Sequence, residues 1–268
     1  MKHLLLILFI TTLNCIAQKS NCSISNTTFK NGEELYYEVY YNLGPIWVAA
    51  GDVTFRIESN NFQNKKCYRF TGAGQSFKSY DWVFKVRDKF ESFVDSESFR
   101  PLKYLRDTKE GGNATFNLNY FNNTKNLAYT FYKNNNKELI KDTVDITSCT
   151  YDVMSMIYFA RTIDYTIHKP NDIIPISVFL DAKTFNNQYI RYLGKGVLKT
   201  ELGTFNCIKF SPKLIAGTIF KEGDEMIVWV TDDKNKIPLL VETPIVVGSI
   251  KTKIKKISGE RYKLSKVK

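Results

Sequence analysis

Histidine is nearly absent from this chain. The 268 residues hold two, and His3 falls within an N-terminal leader, which leaves His168 alone. A multi-histidine metal centre is thereby excluded, and any Ser-His-Asp or Cys-His relay would have to run through His168. In YTIHKPND that residue sits at a strand-to-turn junction before Pro170, a setting that suits an exposed side chain better than a catalyst. No Cys-x-x-Cys pair occurs, so neither a thioredoxin-type redox site nor a zinc ribbon is supported. Beyond the leader, no run approaches the ~20 apolar residues of a membrane-spanning helix. GAGQS and GKG are not followed by the Lys-Ser/Thr and helix of a phosphate loop. Asp232-Asp233-Lys234-Asn235 lacks the central glycine and distal glutamate of a calcium loop and reads as a hairpin turn. The expectation is a protein without metal, cofactor or enzymatic activity.

What is present starts with MKHLLLILFITTLNCIAQKS: a basic residue, an apolar run, then small residues at Cys15 and Ala17. That pattern predicts a secretory leader over residues 1–17, cleaved after Ala17, and an exported protein. Asn14 stands where a lipoprotein signal would place a small residue before Cys15. Four cysteines follow, Cys22, Cys67, Cys149 and Cys207, and in an oxidising compartment they allow three connectivities. Cys67 and Cys207 sit inside strand-like runs, where buried free thiols are common, whereas Cys22 and Cys149 flank regular elements. Cys22–Cys149 is the expected bridge.

The formal charge of +11 is uneven. KTKIKKISGERYKLSKVK carries eight Lys/Arg against Glu260, which reads as a strand with a solvated lysine face followed by a frayed tail. The alternative is a patch facing an anionic envelope component, with peripheral membrane contact. Nucleic acid is not an expected partner.

Alternation of period two dominates the chain. DVTFRIE sets Val53, Phe55 and Ile57 against Asp52, Thr54, Arg56 and Glu58; TFNLNY sets Phe116, Leu118 and Tyr120 against Thr115, Asn117 and Asn119. Such alternation marks antiparallel strands with one wet face. Turn signals recur at Asn31-Gly32, Gly44-Pro45, Gly72-Ala73-Gly74, Gly111-Gly112 and Asn134-Asn135-Asn136. No Pro/Ser-rich linker interrupts, so 18–268 reads as a single β-rich domain. Its halves, 29–145 and 165–257, echo each other as an old duplication would leave them. The expected fold is all-β and mainly antiparallel: a large curved sheet, barrel-like or a two-sheet sandwich.

One stretch departs from this pattern. In CTYDVMSMIYFARTID, Val153, Met156, Ile157, Ala160 and Ile163 recur at helical spacing, while Met154 and Tyr158 widen the apolar arc. A helix over about 151–163 is predicted, with Thr150 as N-cap and Asp152 in the first turn. So apolar a helix must be buried, packed on the curved sheet as a plug.

Two sets of residues carry candidate chemistry. Trp47, Tyr80 and Trp82 stand beside small or charged residues, as in sites that bind sugars or apolar ligands. Asp81, Asp88 and Glu110 are the acidic candidates for glycoside chemistry, which needs two carboxyls about 5–10 Å apart. The first set favours non-catalytic binding of an apolar or amphipathic envelope component, or support of outer-membrane upkeep. The second set carries the alternative, an enzyme acting on envelope glycans.

FKNGEELYYEVYYNLGPIWVAAGDVTF, SYDWVFKVRDKFESFVD, CTYDVMSMIYFARTID, GTFNCIKFSPKL, MIVWVTDDKNKIPLLVE and VGSIKTKI, in this order, resemble domain of unknown function family 3108, in its Bacteroidetes form. The resemblance implies an exported, β-rich protein of the periplasm or outer membrane of a Gram-negative bacterium. It implies no catalytic residues.

Overall fold

The computed structural model describes residues 24–43, 45–215, 225–245 and 248–267. Residues 1–17, the expected leader, and Cys22 lie outside the described residues. The first eight strands are β1 (Glu34–Leu43), β2 (Ile46–Phe62), β3 (Lys65–Ser76), β4 (Val86–Asp95), β5 (Pro101–Glu110), β6 (Asn113–Asn122), β7 (Leu127–Asn134) and β8 (Ile140–Asp145). The rest are β9 (Thr150–Tyr151), then helix α1 (Val153–Thr162), β10 (Ile173–Leu180), β11 (Lys183–Thr200), β12 (Gly203–Pro212), β13 (Ile227–Thr231), β14 (Pro238–Pro244) and β15 (Ser249–Ser258).

All fifteen strands belong to one sheet, in the order β8 to β1, then β15 down to β9. Neighbours are antiparallel except β9, which lies parallel to β10. The first long strand therefore pairs with the last, Glu34 opposite Ser258, and the chain's two halves fan outward from that seam. The sheet curls until β8 approaches β11, where the Thr184 hydroxyl donates to the Asp145 carbonyl at 2.7 Å. The expected large curved, barrel-like antiparallel sheet is the observed fold.

Helix α1 is one turn shorter than the sequence suggests. Thr150 and Tyr151 are drawn into β9, and Asp152 rather than Thr150 is the N-cap, accepting from the Ser155 amide at 2.9 Å. The carboxylate wins because it also reaches the Ser92 hydroxyl on β4, at 2.7 Å, which a threonine could not accept so well. Met154 and Tyr158 are sealed in the core, with Val153, Met156, Ile157 and Phe159 packed against it. Tyr158 stacks on Phe70 with ring centres 3.9 Å apart. Arg161, the most polar residue of the helix, is also buried.

Gly72-Ala73-Gly74 is not a turn; it lies within β3. A Cβ at Gly72 would fall 3.2 Å from both the Met154 sulfur and the Phe55 ring, so the glycine is what lets the helix settle on the sheet. The C-terminal tail is not frayed either. Tyr262 donates its amide to Asn235 and its hydroxyl to the Thr27 carbonyl, and the Val267 amide reaches the Thr204 carbonyl.

The alternation of TFNLNY holds, but with the opposite face inside. Asn117 and Asn119 are fully buried, while Phe116, Leu118 and Tyr120 are half-exposed on the outer face. DVTFRIE faces the expected way, with Ile57 inside and Arg56 and Glu58 out. Periodicity alone assigns two faces without saying which of them meets the core.

Candidate functional site

Because β1 to β8 form a meander, the connections after β1, β3, β5 and β7 all fall at one end of the sheet. The Ser249 amide donates to the Asn42 side chain, which brings the start of β15 to the same end. This end carries Ile46, Trp47, Trp82, Val83, Phe84, Leu139 and Ile140, with exposures running from 38% for Trp47 to 85% for Trp82. At the opposite end, the connections 63–64, 96–100, 123–126, 201–202 and 232–237 carry no exposed large apolar side chain among the described residues, and Ile167 after α1 and Val267 near the C-terminus stand there as scattered single exposed side chains. The asymmetry belongs to the tertiary structure, since the apolar tips come from separate hairpins.

The 77–85 connection is held at its base so that its tip stays out. Arg87 grips Asp81 at two points, Nη2 to Oδ2 at 2.7 Å and Nη1 to Oδ1 at 3.1 Å, and Ser76 donates to the same carboxylate. The Arg87 guanidinium and then the Ser76 hydroxyl hold the Asp81 carboxyl below its ordinary pKa. Ser76 in turn accepts from the Val86 amide at 2.9 Å. A short 3-10 turn, Lys78–Tyr80, leads to the tip, where the Trp82 indole N–H donates to the Ser79 carbonyl at 2.9 Å. Gly111, at φ +61°, lies directly beneath the Phe84 ring, so close that a Cβ would clash with it. The tip therefore rests on the β5–β6 turn with its apolar side chains in solvent.

Of the sequence candidates, Trp47, Tyr80 and Trp82 thus share one end of the molecule. Lys251 lies 4.7 Å from the centre of the Trp47 ring, a cation–π contact. The acidic candidates divide. Asp81 belongs to the loop clamp, while Asp88 and Glu110 converge on the inner face of β4 and β5. Burial, and then the charge of Glu110, push the Asp88 pKa up to about 7. The Lys109 amide donates to Asp88 at 3.2 Å.

Beyond Asp88 the inner face of β4 to β7 is unusually polar. Register places Ser92, Tyr104, Asn119 and Thr130 in one row, and Phe90, Arg106, Asn117 and Tyr132 in the next. The Tyr104 hydroxyl, Arg106 Nε, both polar atoms of Asn117 and of Asn119, and the Thr130 hydroxyl are buried without a hydrogen-bonding partner in the protein. Arg106 also pairs with Asp181 from the β10–β11 turn at 3.2 Å. The polar carboxamides of Asn117 and Asn119 point to a wet face by their chemistry, whereas the fold turns them inward.

The interior elsewhere is filled by three apolar clusters. A groove of about 370 Å³ on the outer face of β2 to β5 is lined by Asp52, Arg56, Arg87, Lys89, Asp107 and Lys109, and it is polar and open. Among the described residues no group of three or more His, Cys, Asp and Glu could hold a metal. Cys67 and Cys207 are free and buried, as expected of strand cysteines. Cys149 is disulfide-bonded, and Cys22, its expected partner, lies outside the described residues.

No curated protein matches the chain. Its fold is similar to the crystal structure of a β-barrel-like protein, of domain of unknown function DUF1849, from Brucella abortus, with TM-score 0.56 and 9% identity over 88% of this chain and all of that one. A chain described as a lipoprotein from Parabacteroides distasonis aligns at TM-score 0.32 and 8% identity, over 88% of this chain and 99% of its own. The first likeness extends to the fold. The sequence profile of the DUF3108 proteins of unknown function matches residues 36–255, and the chain therefore belongs to that family.

Proposed function

We propose that this is an exported envelope protein whose role is non-catalytic: it binds an apolar or amphipathic envelope component through the end of the sheet that carries Trp47 and Trp82. The observation that carries this reading is the gathering of seven exposed apolar side chains on the connections and adjoining strand ends of one end. Large apolar side chains clustered in solvent mark interaction sites. A carrier with an internal lipid chamber fits less well, because the apolar interior is occupied by packed side chains. The test is titration with a zwitterionic single-chain amphiphile, dodecylphosphocholine, followed by tryptophan emission. Binding shifts the emission to the blue, and Trp82→Ser removes most of the shift. An unchanged spectrum would sink the reading.

A second reading, a carboxylate enzyme acting on envelope glycans, rests on Asp88. A carboxyl held near pKa 7 beside a second carboxyl has the acidity of a general acid. Glycan hydrolysis that disappears in Asp88→Asn and follows a titration near neutrality would favour it over the first.

A further inference from the structure

We propose that the partner of the apolar end is a bilayer face rich in anionic headgroups, on which the protein docks with that end down. The proposal rests on the reading of this end as the binding site and names what it binds.

Shape and charge together point to a bilayer. The exposed apolar side chains project from separate hairpins rather than lining a groove: Ile46 and Trp47 after β1, Trp82 to Phe84 after β3, Leu139 and Ile140 before and at the start of β8. A deformable apolar medium accepts several separate tips at once, whereas a folded partner would need a matching set of pockets. Lysines are interleaved with these tips. Lys78, Lys85, Lys137 and Lys141 are exposed on or beside the same connections, against Glu138 and Asp142 as exposed acids. Asp81 is already held by Arg87, and Asp88 faces inward beside Glu110 with its pKa raised. Trp47 adds an amphipathic ring with the Lys251 ammonium above it, the arrangement favoured where hydrocarbon meets headgroups. Shallow insertion of a few apolar residues with a handful of lysines gives salt-sensitive, reversible binding, each lysine adding modestly near an anionic surface.

The experiment is flotation of the full mature chain with vesicles of phosphatidylcholine alone and of phosphatidylcholine mixed with phosphatidylglycerol, at low and high salt. The expected result is binding to the mixed vesicles, weakened by salt, with little on phosphatidylcholine. Trp82→Ser/Phe84→Ser lowers that binding by roughly tenfold or more, while thermal melting falls only slightly, since Trp82 is 85% exposed and Phe84 loses only its contact with the β5–β6 turn. Lys78→Glu/Lys85→Glu lowers binding to the anionic vesicles and leaves dodecylphosphocholine binding intact. Equal binding to both vesicle types overturns the anionic preference. Full binding by the Trp82/Phe84 variant overturns the docking face and points instead to the lysines of β15. If dodecylphosphocholine binds and neither vesicle does, the bilayer proposal falls and the amphiphile-binding reading stands. If neither amphiphile nor vesicle binds, both fall.

Discussion

Arg161, near the end of α1, holds the carboxylate of Glu33 at two points across 128 residues of chain, with Nη2 to Oε2 at 2.9 Å, and both side chains are sealed from solvent. The same guanidinium donates to the Asn235 carbonyl at 3.0 Å in the β13–β14 turn and lies over the Phe29 ring at 5.3 Å. One helix residue thereby ties the segment before β1 to the second half of the sheet. Removing one member of a buried pair strands the other charge, at a cost of about 3–5 kcal/mol. Arg161→Met and Glu33→Leu should each lower the free energy of unfolding measured in urea by that margin. Arg161→Met/Glu33→Leu should lose clearly less than the sum, and additive losses would show that the two residues act separately.

Asp152 gives the fold a pH dependence. It is fully buried, and burial raises its pKa to about 6, against the opposing bonds from Ser155 and Ser92. A carboxyl whose folded pKa lies above its unfolded value stabilises most when protonated. Its contribution is full below the unfolded value near 4 and is lost as pH rises through about 6, on the order of 3 kcal/mol in all. Melting temperature should therefore fall between pH 4 and 6 by more in the wild type than in Asp152→Asn. Asp88 adds to the same direction up to about pH 7. Parallel curves for wild type and variant would rule out Asp152 as the source.

Gly72 is a packing requirement. With a Cβ placed 3.2 Å from the Met154 sulfur and the Phe55 ring, Gly72→Ala should destabilise by about 1–3 kcal/mol through overpacking. Met154→Ala vacates part of that space, so the double variant should recover some of the loss. A double-mutant cycle without coupling would mean that the helix does not press on β3 there.

Asn117 and Asn119 make the opposite prediction to most core substitutions. Each buries a carboxamide with no hydrogen bond from the protein, at a cost of about 1–3 kcal/mol per unmet group. Asn119→Leu, flanked by Tyr104 and Thr130, should raise the melting temperature, and Asn117→Leu should do the same. A fall on substitution would show the carboxamides engaged by something other than protein.

Much of the architecture was legible along the chain. Alternation at Val53, Phe55 and Ile57 marks a strand because successive side chains point to opposite faces, and the helical spacing of Val153, Met156 and Ala160 marks α1. The aromatic candidates Trp47, Tyr80 and Trp82 were also visible, since aromatic residues beside small and charged ones stand out locally. Their sharing of one end was not, because it follows from strand order. Arg161 and Glu33 gave no signal at all: a single arginine in a helix and a single glutamate in a turn are ordinary until the fold brings them together.

The sequence by itself determined local geometry: period two for strands, period 3.6 for one helix, and glycine and asparagine at most of the turns. These are properties of neighbouring residues, governed by backbone sterics and side-chain direction. Only the tertiary structure decided which face of each strand turned inward, as Asn117 and Asn119 show, and which glycines were turns and which were clearances, as Gly72 shows. It also decided that apolar tips from separate hairpins share one end. Those outcomes depend on contacts between segments far apart in the chain, and local preference carries no information about which distant surface a residue will meet.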